Sequence, residues 1–184
     1  MHFGAARVAG DSIILIDQWE PLIRRRTHLF ARRRRDAIGK SDPLQQRSRW
    51  KDRHPLKWDS SAAGHVTAGE SYNETARREL KEELGVDVPL EKVFKLAASA
   101  RTDHEFICGY CGVVSEDLAP NKCEIESGVF FAPAVIDGWT SARPDDFAPG
   151  FLECWKAYRK MHSGCEGSIH PETFSAANGA ASTA

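Results

Sequence analysis

Three glutamates in one short segment have the spacing to bind a divalent cation together. Glu79, Glu82 and Glu83 project at about 0°, 300° and 40° around a helix axis, so they share one face. Carboxylates this close repel one another, and the neighbouring Arg78 cannot neutralise all three. A hard cation such as Mg²⁺ can, because it accepts several oxygen ligands. The alternative is an acidic helix face exposed to solvent, and three glutamates considered alone favour that interpretation.

The residues around these glutamates carry the start and stop signals of a helix. Ser71 and Glu74 have the spacing of a capping box, and Gly85 suits the position just past a helix end. Upstream, Gly64 and Gly69 bound a loop in which backbone groups can approach a metal or a phosphate closely. The apolar residues within the helix have the spacing of a face that packs on a core: Ala76, Leu80 and Leu84.

The segment from Gly64 to Val86 reads Gly-x5-Glu-x7-Arg-Glu-Leu-x-Glu-Glu-x-Gly-Val, which resembles the Nudix box at every specified position. Nudix proteins are Mg²⁺- or Mn²⁺-dependent enzymes that mostly hydrolyse a diphosphate linked to another moiety. The resemblance implies a single-domain α/β fold, in which an α/β/α sandwich surrounds a mixed β-sheet and the box forms loop, helix and loop. It also implies a small-molecule diphosphate substrate of the nucleoside or prenyl type.

The same resemblance assigns a role to each matching residue. Glu82 and Glu83 correspond to the principal metal ligands, and the carbonyl of Gly64 is expected to complete the metal shell. Glu70 is expected to be structural or to act in the outer coordination sphere of the metal. The cofactor implied is Mg²⁺, for which Mn²⁺ can substitute. The catalytic residues implied are Arg78, which positions the glutamates, Glu79, which binds the metal or orients water, Glu82 and Glu83.

Residues just before the box resemble the Nudix subgroup related to isopentenyl-diphosphate isomerase, through Gln45-Gln46-Arg47-Ser48 and the stretch from Lys57 to Val66. Those isomerases need a cysteine just before the Gly-His pair, where this chain has Ala63, which has no titratable group. The complete box also favours hydrolysis. Isomerase-like activity and a non-catalytic module that binds diphosphates or RNA remain the alternatives. His65 matches a metal ligand of the isomerases, although the favoured interpretation is a loop histidine hydrogen-bonded to backbone.

Basic residues are concentrated before the box. Residues 24–57 contain 13 lysines and arginines against three aspartates, whereas the whole chain has a net charge of −1. We expect some of these cations to hold substrate phosphates. A later glutamate, Glu126 or Glu124, is expected to contact the substrate or to act as general base, unless both are solvated loop acids. The candidate phosphate contacts are Arg47, Arg49, Lys51, Arg53 and Lys57.

Four consecutive arginines, at positions 32–35, do not suit a central strand that is buried on both faces. The pattern predicts either a basic loop or an imperfectly formed strand. It also leaves open the binding of capped RNA, although few aromatic residues are interleaved for base stacking. Trp50 and Trp58 could stack on a base, but Trp58 is more simply a core residue.

Composition sets the remaining expectations. The chain of 184 residues predicts one domain at residues 24–162, preceded by an extension at 1–23 with one strand near 12–16 and followed by a flexible tail at 163–184. The longest aliphatic run has four residues, Ile13–Ile16, which predicts no membrane span. Five scattered cysteines favour a reducing compartment and hence a cytoplasmic protein. A homodimer is an option, because many Nudix proteins are dimers.

Overall fold

A computed structural model describes residues 24–36 and 39–163. Short 3₁₀ turns cover Ala100–Thr102 and Pro144–Asp146. The strands are β1 (Arg25–Asp36), β2 (Gly39–Arg47), β3 (Trp58–Asp59), β4 (Ala62–His65), β5 (Leu90–Leu96), β6 (Phe106–Val114) and β7 (Ile125–Phe131). The helices are α1 (Tyr72–Leu84), α2 (Pro133–Ala142) and α3 (Pro149–Ser163).

Strand β1 lies at the centre of a mixed sheet. It pairs in parallel with β6, and β5 adds to the far side of β6 in the antiparallel direction. The other edge of β1 is shared, because β4 pairs with its first half and the tip of β2 pairs with its last residues. Strand β2 then pairs with both β3 and β7. The sheet therefore has the mixed parallel and antiparallel pairing that was predicted.

Alternate residues of β1 point to two separate cores. Leu29 and Ala31 are buried with α1 on one face of the sheet. Phe30, between them, is buried on the other face, where its ring stacks on Tyr158 of α3 at a centroid distance of 4.2 Å. A sheet with an apolar core on each face, each covered by a helix, is an α/β/α sandwich. This confirms the predicted fold class.

The arginine run lies within strand β1, so the prediction of a loop is wrong. The pairing with β6 continues through Arg33, which lies opposite Val114, but a register irregularity follows between Arg33 and Asp36, as expected for an imperfectly formed strand. The fully buried stretch of β1, at residues 27–31, comes before the run. The first arginine of the run, Arg32, has a nearby countercharge, since its Nε lies 3.5 Å from the buried carboxylate of Asp42.

The helix predicted from the capping box and Gly85 is confirmed as α1, which begins and ends where its caps predicted. Helix α2 was not predicted. The strand expected near residues 12–16, and nearly all of the tail expected from residue 163, fall outside the described residues. No helix among residues 24–36 and 39–163 is long and apolar enough to cross a bilayer.

Candidate metal and diphosphate site

Helix α1 is fixed at both ends and along one side. The Ser71 hydroxyl accepts a hydrogen bond from the backbone N–H of Glu74, and the Glu74 carboxylate accepts one from the N–H of Ser71. Gly85 closes the helix with φ of 73°, a left-handed conformation that favours glycine. Ala76 and Leu80 are fully buried against the sheet. These contacts set the rotation of the helix, and with it the direction of the glutamates.

Arg78 links the acidic residues of the box. Its Nε and one Nη donate to the two carboxylate oxygens of Glu70 at 2.9 and 3.0 Å. Its other Nη donates to Glu79 at 2.7 Å and to Glu82 at 3.0 Å. Hydrogen bonds from Arg78 first, and then from Thr75, lower the pKa of Glu70 to about 2. Glu70 therefore anchors Arg78 as an anion, which matches the structural role predicted for it.

Glu83 lies deeper than its neighbours and is 3% exposed. One carboxylate oxygen accepts hydrogen bonds from the Gln45 side chain at 3.0 Å and from the N–H of Ala63 at 3.1 Å. Burial, reinforced by the negative charge of Glu79, raises the pKa of Glu83 to about 7. An acid held in this way ionises fully only near a compensating positive charge.

Gly64 makes room for Glu79. A Cβ at position 64 would lie 1.9 Å from the carboxyl carbon and from Oε1 of Glu79, far inside any normal contact. Glycine is therefore required if the Glu79 carboxylate is to occupy this place. The carbonyl of Gly64 accepts a hydrogen bond from the Thr27 hydroxyl at 3.3 Å, on the strand β4 that pairs with β1.

These residues line one cavity of about 530 Å³, which we call the carboxylate cleft. Across it lies Lys51, whose Nζ donates to the Glu124 carboxylate. Burial lowers the pKa of Lys51, and the carboxylates of Glu83 and Glu79 act in the opposite direction. The lining residues include Arg26, Arg47, Lys51, Asp52, Gly64, His65, Arg78, Glu79, Glu82, Glu83, Asn121 and Glu124.

The donor atoms of the carboxylate cleft suit a hard divalent cation, because they are carboxylate and carbonyl oxygens. Within the described residues, no three histidine, cysteine, aspartate or glutamate side chains already converge on one point. Arg78 explains this, since it holds Glu79 and Glu82 while Glu83 faces Gln45. Glu82 is 57% exposed, so its side chain can exchange Arg78 for a cation at little cost in packing.

The structure brings together only part of the predicted site. Arg47 lines the cleft, but its guanidinium donates to Asp59 at 3.2 Å and to the carbonyl of Arg53 at 3.0 Å. Lys57 and Glu126 do not line the cleft. Lys57 donates to the carbonyl of Asp145, and Glu126 pairs with Arg49. Of the predicted phosphate contacts, Lys51 lines the cleft beside the box glutamates. Of the two later glutamates, Glu124 lines the cleft and Glu126 does not.

His65 lies at the edge of the cleft, half exposed. Its Nε2 is 2.9 Å from an oxygen of Glu105, whose side chain is 3% exposed. Burial alone would raise the pKa of Glu105, but the hydrogen bond with His65 and the charge of Arg26 keep it below its ordinary value. An ionised Glu105 accepts this hydrogen bond, so Nε2 of His65 is the donor.

The sequence reasoning missed Arg26, Asp52 and Asn121, which line the cleft, and Glu105, which bonds to His65 at its edge. Arg26 lies opposite His65 in the pairing of β1 with β4, and Glu105 just precedes the start of β6. Asn121 is held by its backbone N–H, which donates to the carbonyl of Glu83 at 2.9 Å. These residues reach the cleft through contacts between distant parts of the chain, so no local spacing in the sequence predicts them.

A model of the NUDIX domain family matches residues 26–150. The chain belongs to the Nudix family. A Nudix hydrolase of Yersinia pestis is 51% identical over 119 residues, which cover 64% of this chain and 63% of that protein. The structure of DR0079 from Deinococcus radiodurans is similar, with a TM-score of 0.58 and 26% identity, over 65% of this chain and 74% of the other.

Two further Nudix relatives have names that state a reaction. A prenyl-diphosphate phosphatase of Methanosarcina mazei is 34% identical over 127 residues, which cover 67% of this chain and 73% of that protein. An isopentenyl-diphosphate Delta-isomerase of Nocardia farcinica is 32% identical over 116 residues, which cover 60% of this chain and 66% of that protein. The Nudix chain described here thus spans just under two thirds of the length of the Nocardia and Yersinia proteins.

Proposed function

We propose that this Nudix protein is a Mg²⁺-dependent hydrolase that cleaves a diphosphate linkage in a small-molecule substrate, with Mn²⁺ as a substitute. The observation that carries the proposal is the carboxylate cleft itself, in which Glu79, Glu82 and Glu83 face Lys51. Nudix enzymes generally use divalent metals, and the named relatives act on diphosphates, which supports the same chemistry here.

The residues of the cleft have different roles in the proposed reaction. Glu82 and Glu83, with the Gly64 carbonyl, would hold the cation. Bound Mg²⁺ supplies charge stabilisation for diphosphate oxygens and makes water more acidic. Glu79, held between Arg78 and Gly64, is placed to orient the attacking water. Lys51 offsets the negative charge of the departing phosphate.

An isomerase is the second candidate, because the Nocardia relative is named as one. The position that would need an acid–base cysteine is Ala63, which is 5% exposed and whose N–H donates to Glu83. No titratable side chain stands at that position, so we favour hydrolysis. A non-catalytic module that binds small diphosphates or capped RNA is the third candidate. The cytoplasmic location and the homodimer stay predictions.

Phosphorus NMR of a substrate panel tests the proposal. The panel contains ADP-ribose, a dinucleoside polyphosphate, coenzyme A and isopentenyl and geranyl diphosphates, each with Mg²⁺, with Mn²⁺ or in metal-free buffer. We expect new phosphate monoester or inorganic phosphate signals with at least one compound, and only when a metal is present. Conversion of isopentenyl to dimethylallyl diphosphate without phosphate release would establish the isomerase instead. Shifted signals with no conversion would establish a binding module.

A further inference from the structure

A second cavity, of about 440 Å³, adjoins the carboxylate cleft, and we call it the basic pocket. The two cavities share a wall, because Arg26, Arg47, Asp52 and His65 line both. Asp52 is the one carboxylate among the residues that line the basic pocket. The pocket's cations are Arg24, Arg25, Arg26, Arg47 and Arg53.

Internal ion pairs account for only part of this positive charge. Arg47 pairs with Asp59 at 3.2 Å, and Arg53 pairs with Asp103 at 2.8 Å. In the part of the chain that the structure describes, Arg24 and Arg25 form no ion pair, although Arg25 lies over the ring of Tyr72 at 5.6 Å. Among the described residues, the lining of the pocket therefore has an excess of positive charge, which favours an anionic ligand.

Arg26 carries a more specific sign of a missing partner. Its Nε is buried and has no hydrogen-bond partner among residues 24–36 and 39–163. Its Nη1 lies 3.9 Å from Glu105, too far for a hydrogen bond. Buried donors are normally satisfied, so the described residues leave the Arg26 guanidinium only partly paired. Arg26 lines both cavities, so an anion bound in either one would lie beside this guanidinium charge.

We propose that the basic pocket binds a second anionic group of the substrate, best matched by a phosphate monoester, that lies beyond the diphosphate cleaved in the carboxylate cleft. This inference rests on the proposed function. It selects a phosphorylated, nucleotide-like substrate over a prenyl diphosphate, which carries no further anion. Guanidinium groups suit this task because their fork of N–H donors matches the oxygens of a phosphate.

Direct anion binding separates the pocket from the catalytic reaction. Without a metal, the carboxylates of the cleft repel phosphate, so titration of pyrophosphate into protein in metal-free buffer at low salt reports on the basic pocket. Arg24→Glu reverses a charge on this pocket, and Arg101→Glu reverses one on an exposed residue that lines neither cavity. We expect Arg24→Glu to weaken pyrophosphate binding at least about tenfold and Arg101→Glu to change it little. Equal losses, or no binding by the wild type, would overturn the proposal.

Matched substrates decide whether the second anion belongs to the substrate or is free phosphate. Coenzyme A and dephospho-coenzyme A differ by one phosphate, as do ADP-ribose 2′-phosphate and ADP-ribose. We expect kcat/KM to favour the phosphorylated member of at least one pair about tenfold, and Arg24→Glu, but not Arg101→Glu, to bring that ratio toward one. Pyrophosphate binding with ratios near one in both pairs would mean a site for free phosphate and would refute the substrate assignment. No turnover of any compound would refute the proposed function, and with it the substrate assignment, while the titration would still decide whether the pocket binds anions.

Discussion

Replacing Gly64 with alanine should separate activity from stability in this Nudix domain. The added Cβ would lie 1.9 Å from the carboxyl carbon of Glu79, whereas ordinary contacts begin near 3.4 Å. The carboxylate must therefore retreat by about 1.5 Å. Misplacing a catalytic group by about 1 Å costs roughly 100-fold in rate, so we expect kcat to fall at least about 100-fold.

The same substitution should leave the fold intact, because the displaced atoms are the end of a flexible side chain. The loss of the 2.7 Å hydrogen bond between Glu79 and Arg78 costs about 0.2–1 kcal/mol for a partly exposed pair. Alanine in place of glycine within strand β4 stabilises the folded state by about 0.5–1 kcal/mol, because glycine loses more conformational entropy on folding. The free energy of unfolding should therefore change by less than about 1 kcal/mol.

Metal-dependent phosphate release and thermal melting measure the two effects on one preparation. Gly138→Ala is the matched control, since Gly138 is exposed on α2 and an added Cβ there meets nothing within 4 Å. The control should keep full activity. If Gly64→Ala turns over substrate as fast as the wild type, the position of the Glu79 carboxylate is not required for activity. If the variant unfolds, the Glu79 side chain cannot move aside to accommodate the added Cβ.

Two further predictions concern stability. Because the pKa of Glu83 is about 7 in the folded protein and near 4.5 when unfolded, the folded state binds the extra proton and wild-type stability should fall as the pH rises from 4.5 to 7. Glu83→Gln should lack this slope, so that its stability relative to wild type improves by about 3 kcal/mol between pH 4.5 and 8 in metal-free buffer. Urea unfolding at each pH measures this, and parallel profiles would contradict the burial argument. Ser71→Ala removes the cap of α1 and should cost about 1 kcal/mol in the same assay, with Ser141→Ala, a substitution on the exposed face of α2, as control. Equal losses in the two variants would show that the cap does not stabilise α1.

The parts of the fold that the sequence predicts are those governed by local rules. The capping box at Ser71 and the glycine at position 85 fix the ends of α1 whatever packs around it. The arginine run left a loop open as an alternative because residue type alone does not show that β1 continues to pair with β6 as far as Arg33. Leu29, Phe30 and Ala31 fill the buried centre, and the arginines follow it.

The candidate site divides in the same way. The glutamates and Arg78 come from one helix, so their spacing places them together before any tertiary contact is known. The opposite wall comes from strands and loops far apart in the chain. Lys51 and Lys57 have the same charge and similar positions in the sequence, yet one lines the cleft and the other bonds to Asp145. The fold of the segment between the two lysines determines which of them reaches the cleft. The local sequence pattern around each lysine does not show this.

The most direct test of the account is the activity and metal affinity of Glu82→Gln beside Glu91→Gln. Glu82 lines the carboxylate cleft, whereas Glu91 is an exposed glutamate of strand β5. Mn²⁺ binding by electron paramagnetic resonance and phosphate release are measured on each folded variant. We predict that Glu82→Gln weakens Mn²⁺ binding at least about tenfold and abolishes turnover, while Glu91→Gln behaves as wild type. Wild-type Mn²⁺ affinity and turnover in Glu82→Gln would contradict the claim that the carboxylates of α1 hold the catalytic cation.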